Sequence, residues 1–273
     1  EYSPKKWNPE GKLPIIHIGM TPAEIDSSYA PVVEVVGDIT DSLIDILKRA
    51  DRQNKPTPVT AGLKTEIRAD YETYANDTGF PIKPQKLIYD LRQVMGPEDI
   101  AISDVGAHKM WMARHYHSDC PNTCIISNGF AAMGIAIPGA IAAKLVHPDK
   151  RIVAVTGDGG FMMNCQELET ALRVGTPFVT LIFNDGGYGL IEWKQFNHFG
   201  TSSFIKFGNP DFVKFAESMG LKGYRVESAQ DLIPTLEEAF RQDVPTVIDV
   251  PVDYGENLRL SQKSGDLSCQ IWE

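Results

Sequence analysis

From about residue 86 onward, short apolar runs alternate with stretches of helical spacing, and few architectures accept that pattern. The runs cover residues 100–103, 124–126, 152–156, 179–183, 222–226 and 247–250. Helical stretches lie between most of them, at 107–116, 131–145, 165–174, 210–219 and 231–241. This predicts an α/β fold: a doubly wound parallel sheet of about six strands, with helices on both faces and right-handed crossovers. Ligands of such sheets bind outside the carboxyl ends of the strands. Site residues should therefore follow directly after the apolar runs.

Upstream the pattern is thinner. Residues 1–12 are polar. Apolar runs at 13–18 and 32–36 predict two strands, and Leu43, Ile44, Ile46 and Leu47 predict a helix over 41–50 with Thr40 as its cap. Two strands and a helix make too little for a domain and read as the tail end of one. Residues 51–85 carry Pro56, Pro58, Pro81 and Pro84 among polar residues and predict an interdomain connector, helical in part at 65–76. The expected organisation is a remnant of a second α/β domain over 1–60, a linker over 61–85, the main domain over 86–260 and a tail over 261–273. The chain opens Glu1-Tyr2-Ser3-Pro4, with no Met and no signal-type segment, and so reads as the interior of a longer protein.

Several function classes drop out. A net charge of −10 over 273 residues argues against nucleic acid as a partner. The longest weakly polar stretch, 130–146, is broken by Pro138, Gly139 and Lys144; it predicts a buried helix, not a membrane span of ~20 residues. Cys120, Cys124, Cys165 and Cys269 form no CxxC pair, which argues for reduced thiols in a cytoplasmic protein and against zinc.

Two strand ends carry the chemistry. Gly157-Asp158-Gly159-Gly160 follows the run at 152–156, and Asn184-Asp185-Gly186-Gly187-Tyr188-Gly189 follows the run at 179–183. One βαβ unit separates them, so Asp158 and Asp185 should lie close together at one sheet edge. Two adjacent carboxylates repel; a hard cation such as Mg²⁺ relieves that and retains phosphate oxygens in its shell. Gly159 and Gly160 would let the backbone approach a diphosphate, at a helix start that offers free N–H groups. Gly186 and Gly187 permit a turn that aims a carbonyl at the metal. A dinucleotide fingerprint fails, because Met162 occupies its third glycine position, and no Gly-Lys-Ser/Thr completes a phosphate-binding P-loop. Two merely structural turns remain the competing reading.

The pair of motifs resembles the thiamine diphosphate motif, a Gly-Asp-Gly followed at this distance by an Asn-Asn pair; Asp185 stands where many members carry the second Asn. Asp104-Val105-Gly106-Ala107-His108-Lys109-Met110-Trp111 resembles the diphosphate loop of acetolactate synthases. Ser127-Asn128-Gly129-Phe130-Ala131-Ala132-Met133-Gly134 resembles their loop beneath the thiazolium ring. Ile16-His17-Ile18, Pro22-Ala23-Glu24-Ile25 and Val36-Gly37-Asp38 are similar to the end of their middle domain, which binds FAD in some members; nothing in this chain supports FAD. The resemblance implies Asp158, Asp185 and the Gly187 carbonyl as Mg²⁺ ligands. It implies a cofactor site of Val105, Gly106, Ala107, His108, Ala131, Met133, Gly157, Asp158, Gly159, Gly160, Asp185, Gly187, Tyr188, Gly189 and Leu190. Met133 would wedge the cofactor into its V shape; core packing is the competing role for a methionine.

The implied activity is decarboxylating carboligation, two pyruvates giving 2-acetolactate and CO₂. The implied partners are a 2-oxo acid and a second subunit in a homodimer or homotetramer. The glutamate that activates the cofactor belongs to an N-terminal pyrimidine-binding domain of that other subunit and is expected outside this chain. On that view this piece alone is inactive. Pyruvate oxidase, decarboxylase and glyoxylate carboligase share the motif, and a non-catalytic module on the same fold is a further alternative. His108, His115, His117 and His198 are candidate substrate contacts. A tryptophan typical of biosynthetic members aligns with Lys194, one position past Trp193, which otherwise reads as half-buried in an amphipathic helix.

Overall fold

The computed structural model describes residues 4–50 and 58–257. The chain divides into two compact units, residues 1–61 and 62–273. The expected tail at 261–273, and Cys269 within it, lie outside the described residues.

The first unit holds a short helix α1 (Pro4–Trp7), the parallel strands β1 (Ile15–Gly19) and β2 (Pro31–Val36), and a helix α2 (Ile39–Arg49). Asp38, not Thr40, caps α2: its carboxylate accepts the Asp41 N–H at 2.9 Å, and Thr40 falls inside the first turn. An Asp side chain there satisfies one of the orphan amides of the helix start. α2 buries none of its side chains. Ile16, Val32 and Leu47 are 65%, 68% and 68% exposed, because two strands and one helix cannot enclose a core.

The helix expected at 65–76 within the connector forms earlier, as α3 (Pro58–Glu72), with a proline in the first turn, where its fixed φ suits a helix start. From residue 62 it belongs to the second unit. Tyr71 stacks on His117 with ring centroids 4.3 Å apart, and Asp70 pairs with Arg114 at 3.0 Å. These anchors are aromatic and ionic, so apolar periodicity does not reveal them. A helix α4 (Pro84–Val94) follows.

Six strands then build one all-parallel sheet: β3 (Ile100–Ser103), β4 (Cys124–Ile126), β5 (Ile152–Gly157), β6 (Val179–Asn184), β7 (Lys222–Arg225) and β8 (Thr246–Pro251), in the order β4-β3-β5-β6-β8-β7. Side chains alternate between the two faces. Val153, Val155, Leu181, Phe183, Ile248 and Val250 pack on one side with Leu87 and Leu91 of α4 and with Trp111 and Met112 of α5 (Ala107–His115). Ile152, Ala154, Ile182 and Val247 pack on the other with Ile137 and Ile141 of α6 (Ala136–Val146), and with Phe161 of α7 (Asp158–Asn164) and Leu168 of α8 (Glu167–Arg173). Both faces are therefore covered, which is why these strands read as continuous apolar runs. α9 (Gly189–Phe199), α10 (Phe212–Ser218) and α11 (Leu232–Ala239) complete the unit.

The strand order places the site. The chain leaves β3 outward to β4, then returns past β3 to lay down β5. The loops after β3 and β5 therefore run to opposite faces, and a crevice opens between them.

Two predicted helices differ. The helix expected at 131–145 begins at Ala136, and the helix expected at 165–174, α8, is preceded by a further one, α7, that emerges directly from β5. Residues 127–135 are loop, with Phe130 fully in solvent at 99% exposure. Buried Asp104 at the end of β3 holds this loop: its carboxylate accepts the Gly134 N–H at 2.9 Å, the Thr156 hydroxyl at 3.2 Å and the Ala136 N–H at 3.5 Å. Asn164 of α7 donates to the Gly134 carbonyl at 3.0 Å. Among the described residues no helix is long and apolar enough to cross a membrane.

Ala131 adopts φ 53°, a left-handed conformation that costs an L-residue about 1 kcal/mol. Ala131→Gly is therefore expected to raise stability slightly, by up to about 1 kcal/mol, the gain tempered by the greater freedom of glycine in the unfolded chain. A thermal melt that falls rather than rises would contradict the strain at this position.

Candidate functional site

The crevice between the β3 and β5 loops is walled by four segments. Val105, Gly106, Ala107 and His108 come from the end of β3 and the start of α5. Met133 comes from the Asp104-held loop. Gly157, Asp158, Gly159 and Gly160 come from the end of β5 and the first turn of α7. Asp185, Gly187, Tyr188, Gly189 and Leu190 come from the end of β6 and the start of α9, with Ile191 and Tyr254 beside them. Of the residues of the implied cofactor site, Ala131 alone is off the wall. Met133 is half-buried, lines the crevice and belongs to neither apolar core.

Other candidates lie elsewhere. His115 is buried against Trp111 (5.5 Å between rings), His117 stacks on Tyr71, and His198 sits edge-on to Phe199 at 4.4 Å. None of the three lines the crevice. Trp193 is half-buried in α9, a helix with no fully buried residue, and lines a neighbouring cavity that shares Asp185, Gly189 and Tyr254 with the crevice. Gly159 and Gly160 form no loop; α7 starts at Asp158, so both sit in its first turn.

His108 is buried at 2% exposure, its ring bonded to the Asp104 backbone. Gly106 makes room for that ring: a Cβ there would lie 2.6 Å from His108 Cε1. Burial holds the imidazole down at about 4, so it is neutral at pH 7. Its Nε2 is buried without a partner.

Across the crevice, Asp158 Oδ1 accepts the Gly159 N–H at 2.9 Å, and Oδ2 accepts from Gly186 N at 2.8 Å and Asn209 Nδ2 at 2.7 Å. Burial still raises its pKa, against the pull of these hydrogen bonds. Burial, with the Asp158 charge adding to it, pushes the Asp185 carboxyl up to about 7; the Lys206 ammonium works the other way. Gly189 lets Asp185 fold back, since a Cβ there would stand 2.6 Å from Asp185 Oδ2. Lys206 pairs with Glu192 at 3.0 Å. Burial, then Asp185 and Asp158, holds the Tyr254 phenol well above its usual range.

The turn after β6 has Gly186 at φ 66°. It is pinned by Tyr188 N donating to Ile205 O at 2.9 Å and Phe207 N donating to Gly186 O at 3.4 Å. Those two bonds use the Gly186 carbonyl and the Tyr188 amide, not the Gly187 carbonyl between them.

These observations fit a cation carrying a phosphorylated ligand. Both carboxylates are raised by burial and the Asp158 charge raises Asp185 further, a condition that a divalent cation reverses. No group of three or more His, Cys, Asp or Glu among the described residues is arranged to hold a metal. A cation that keeps phosphate oxygens and waters in its shell needs no third side chain. The His108 ring lies against Gly157 at the start of α7, where a Cβ would stand 3.3 Å from its Nδ1.

Asn209 and Tyr254 are absent from the sequence-derived site. Asn209-Pro210-Asp211 reads as a turn leading into a capped helix, and Asp211 does cap α10. Tyr254 follows β8 and so satisfies the strand-end rule, but it stands in no motif.

Residues 104–250 match the family described as thiamine pyrophosphate enzyme, C-terminal TPP binding domain. The chain is 37% identical to an acetolactate synthase of Bacillus subtilis, over 96% of this chain and 46% of that protein. It is 34% identical to a catabolic acetolactate synthase of Raoultella terrigena, over 94% and 46%, and 32% identical to the mitochondrial acetolactate synthase catalytic subunit of Saccharomyces cerevisiae, over 89% and 36%. The chain thus spans about half the length of the curated relatives it matches. With its strand-end glycines and carboxylates gathered in one crevice, the chain belongs to the thiamine pyrophosphate enzymes, as a homologue of acetolactate synthases.

Proposed function

We propose that this chain is the cofactor-anchoring part of an acetolactate synthase-type carboligase acting on pyruvate. The observation that carries this reading is the pairing of Asp158 and Asp185, both raised by burial, in one crevice with the His108 loop and Met133. Asp158, Asp185 and the Gly187 carbonyl would hold Mg²⁺. The amides at the starts of α5 and α7 would take the diphosphate, with the neutral His108 ring forming part of the wall beside it. Thiamine diphosphate, when bound, supplies a thiazolium carbon nucleophile and the electron sink for loss of CO₂ from a 2-oxo acid. The chain's own part is to fix the diphosphate and metal, to keep the crevice lined with apolar and glycine backbone, and to place Met133 as the wedge that bends the cofactor. Bending brings the cofactor's own amine to the carbon it must deprotonate, and proximity of that kind lowers barriers by ~7–11 kcal/mol in favourable cases.

The first unit supports a further element of the reading. Its uncovered apolar helix α2 and two-stranded sheet suit the closing piece of a middle domain whose remainder would bury them. The activating glutamate, on this reading, comes from a pyrimidine-binding domain of another subunit in a dimer or tetramer.

The protein that carries this chain, given pyruvate, Mg²⁺ and thiamine diphosphate, is expected to release CO₂ and accumulate 2-acetolactate. Acetyl phosphate or acetaldehyde as the product would replace the reading with an oxidase or a decarboxylase. The 273-residue chain alone is expected to bind the cofactor with Mg²⁺ but not to turn over; steady acetolactate formation by it would overturn the shared-site part of the reading.

Asp185 also yields a pH prediction. In the cation-free fold its carboxyl is raised from 3.8 to about 7, so it holds a proton that the unfolded chain gives up. Its favourable contribution is complete below about 4 and is lost as pH rises through 7. Asp185→Asn mimics the neutral form. Its stability advantage over the parent is expected to grow by on the order of 2 kcal/mol between pH 5 and pH 8, while Mg²⁺-dependent cofactor binding persists, because the amide carbonyl still offers the metal an oxygen. Melts of both proteins at the two pH values, without cation, measure the difference; a pH-independent gap would contradict it.

A further inference from the structure

Behind the crevice wall a chain of buried polar contacts crosses the carboxyl ends of four strands. Arg225 at the end of β7 pairs with Asp249 of β8, which is only 2% exposed. Asp249 Oδ1 accepts from Asn184 Nδ2 at 2.8 Å, at the end of β6. Asn184 Oδ1 accepts from Asn209 Nδ2 at 3.0 Å, and the same amide nitrogen donates to Asp158 Oδ2 at 2.7 Å. Asp249 accepts from both Arg225 and Asn184, and Asn209 donates both to Asn184 and to Asp158. The carboxylates at the two ends therefore fix which way both asparagine amides face.

The consequence falls on Asp158. An ionised carboxylate offers about four lone-pair positions, two on each oxygen. Both positions of Oδ2 are occupied, by Gly186 N at 2.8 Å and by Asn209 Nδ2. Oδ1 accepts from Gly159 N at 2.9 Å, and the Gly187 amide is a further donor to the carboxylate. With both positions of Oδ2 taken, a metal contact falls to Oδ1. A cation at this site then meets a one-toothed ligand that cannot turn to offer both oxygens. Mg²⁺ takes near-octahedral, single-oxygen contacts, whereas Ca²⁺ accepts six to eight oxygens and often grips both atoms of one carboxylate.

The geometry points to Asn209 as a positioning residue that sets cation choice: by occupying Asp158 Oδ2 it favours Mg²⁺ over Ca²⁺, braced from the far strand by Asn184, Asp249 and Arg225. This rests on the reading of Asp158 and Asp185 as the cation site.

The test compares Mg²⁺ and Ca²⁺ as the cation supporting thiamine diphosphate binding, by titrating each at fixed cofactor and following the binding heat or the intrinsic tryptophan signal. Asn209→Ala frees Oδ2 and is expected to move the Ca²⁺-to-Mg²⁺ affinity ratio about tenfold toward Ca²⁺. Arg225→Met removes a side chain that is half exposed, 51%, and leaves Asp249 held by Asn184; it is expected to move the ratio the same way by a smaller factor. Equal losses for both cations in Asn209→Ala, or an unchanged ratio in both variants, would overturn the inference, since general loosening of the fold weakens both cations alike. Failure of the unaltered protein to bind the cofactor with Mg²⁺ would instead overturn the reading of the site itself.

Discussion

Two acidic side chains held side by side away from water are the constraint around which this domain is arranged. Asp158 and Asp185 end adjacent strands, and each is raised by burial, Asp185 to about 7. A protein gains nothing in stability by that placement, since like charges in a poorly solvated place oppose folding. The surrounding structure offsets the cost with directed donors. Gly159, Gly186 and Asn209 all point N–H groups at Asp158. Asp185 receives less such help, and the greater shift falls on it. The site is thus prepared for a positive charge, and the domain is expected to be more stable with one bound than without.

Much of this arrangement is legible in the sequence, and the reasons are specific. β5 and β6 are buried on both faces, so they appear as unbroken apolar runs, and the strand-end rule then leads directly to Asp158 and Asp185. The stretch 130–146 misleads for the opposite reason. It is weakly polar along most of its length, yet Phe130 and Ile135 face outward at 99% and 39% exposure, and the helix starts only at Ala136. Apolar composition does not say which surface a side chain meets; the tie from Asp104 to the Gly134 amide decides that, and it spans thirty residues of sequence. Asn209 and Tyr254 are out of reach of a local reading altogether. Each is one polar residue in a loop, brought to the site by a strand order that no short window contains.

The same distinction explains the expected linker. Polar, proline-bearing composition suggests a segment with nothing to pack, but α3 docks through Tyr71 and Asp70 on His117 and Arg114, contacts that leave no hydrophobic period. Helical spacing at 41–50 does locate α2, while the helix cap moves by two residues, from Thr40 to Asp38, because an aspartate outcompetes a threonine for the first-turn amides.

Asp104 binds the end of β3, the hydroxyl of Thr156 on β5 and the loop that carries Met133, all through one buried carboxylate. The crevice lies where the loops of those two strands part, so its opposite walls are fastened at the root. A ligand entering it does not have to gather a loose loop, and the ordering of that wall has already been met in folding.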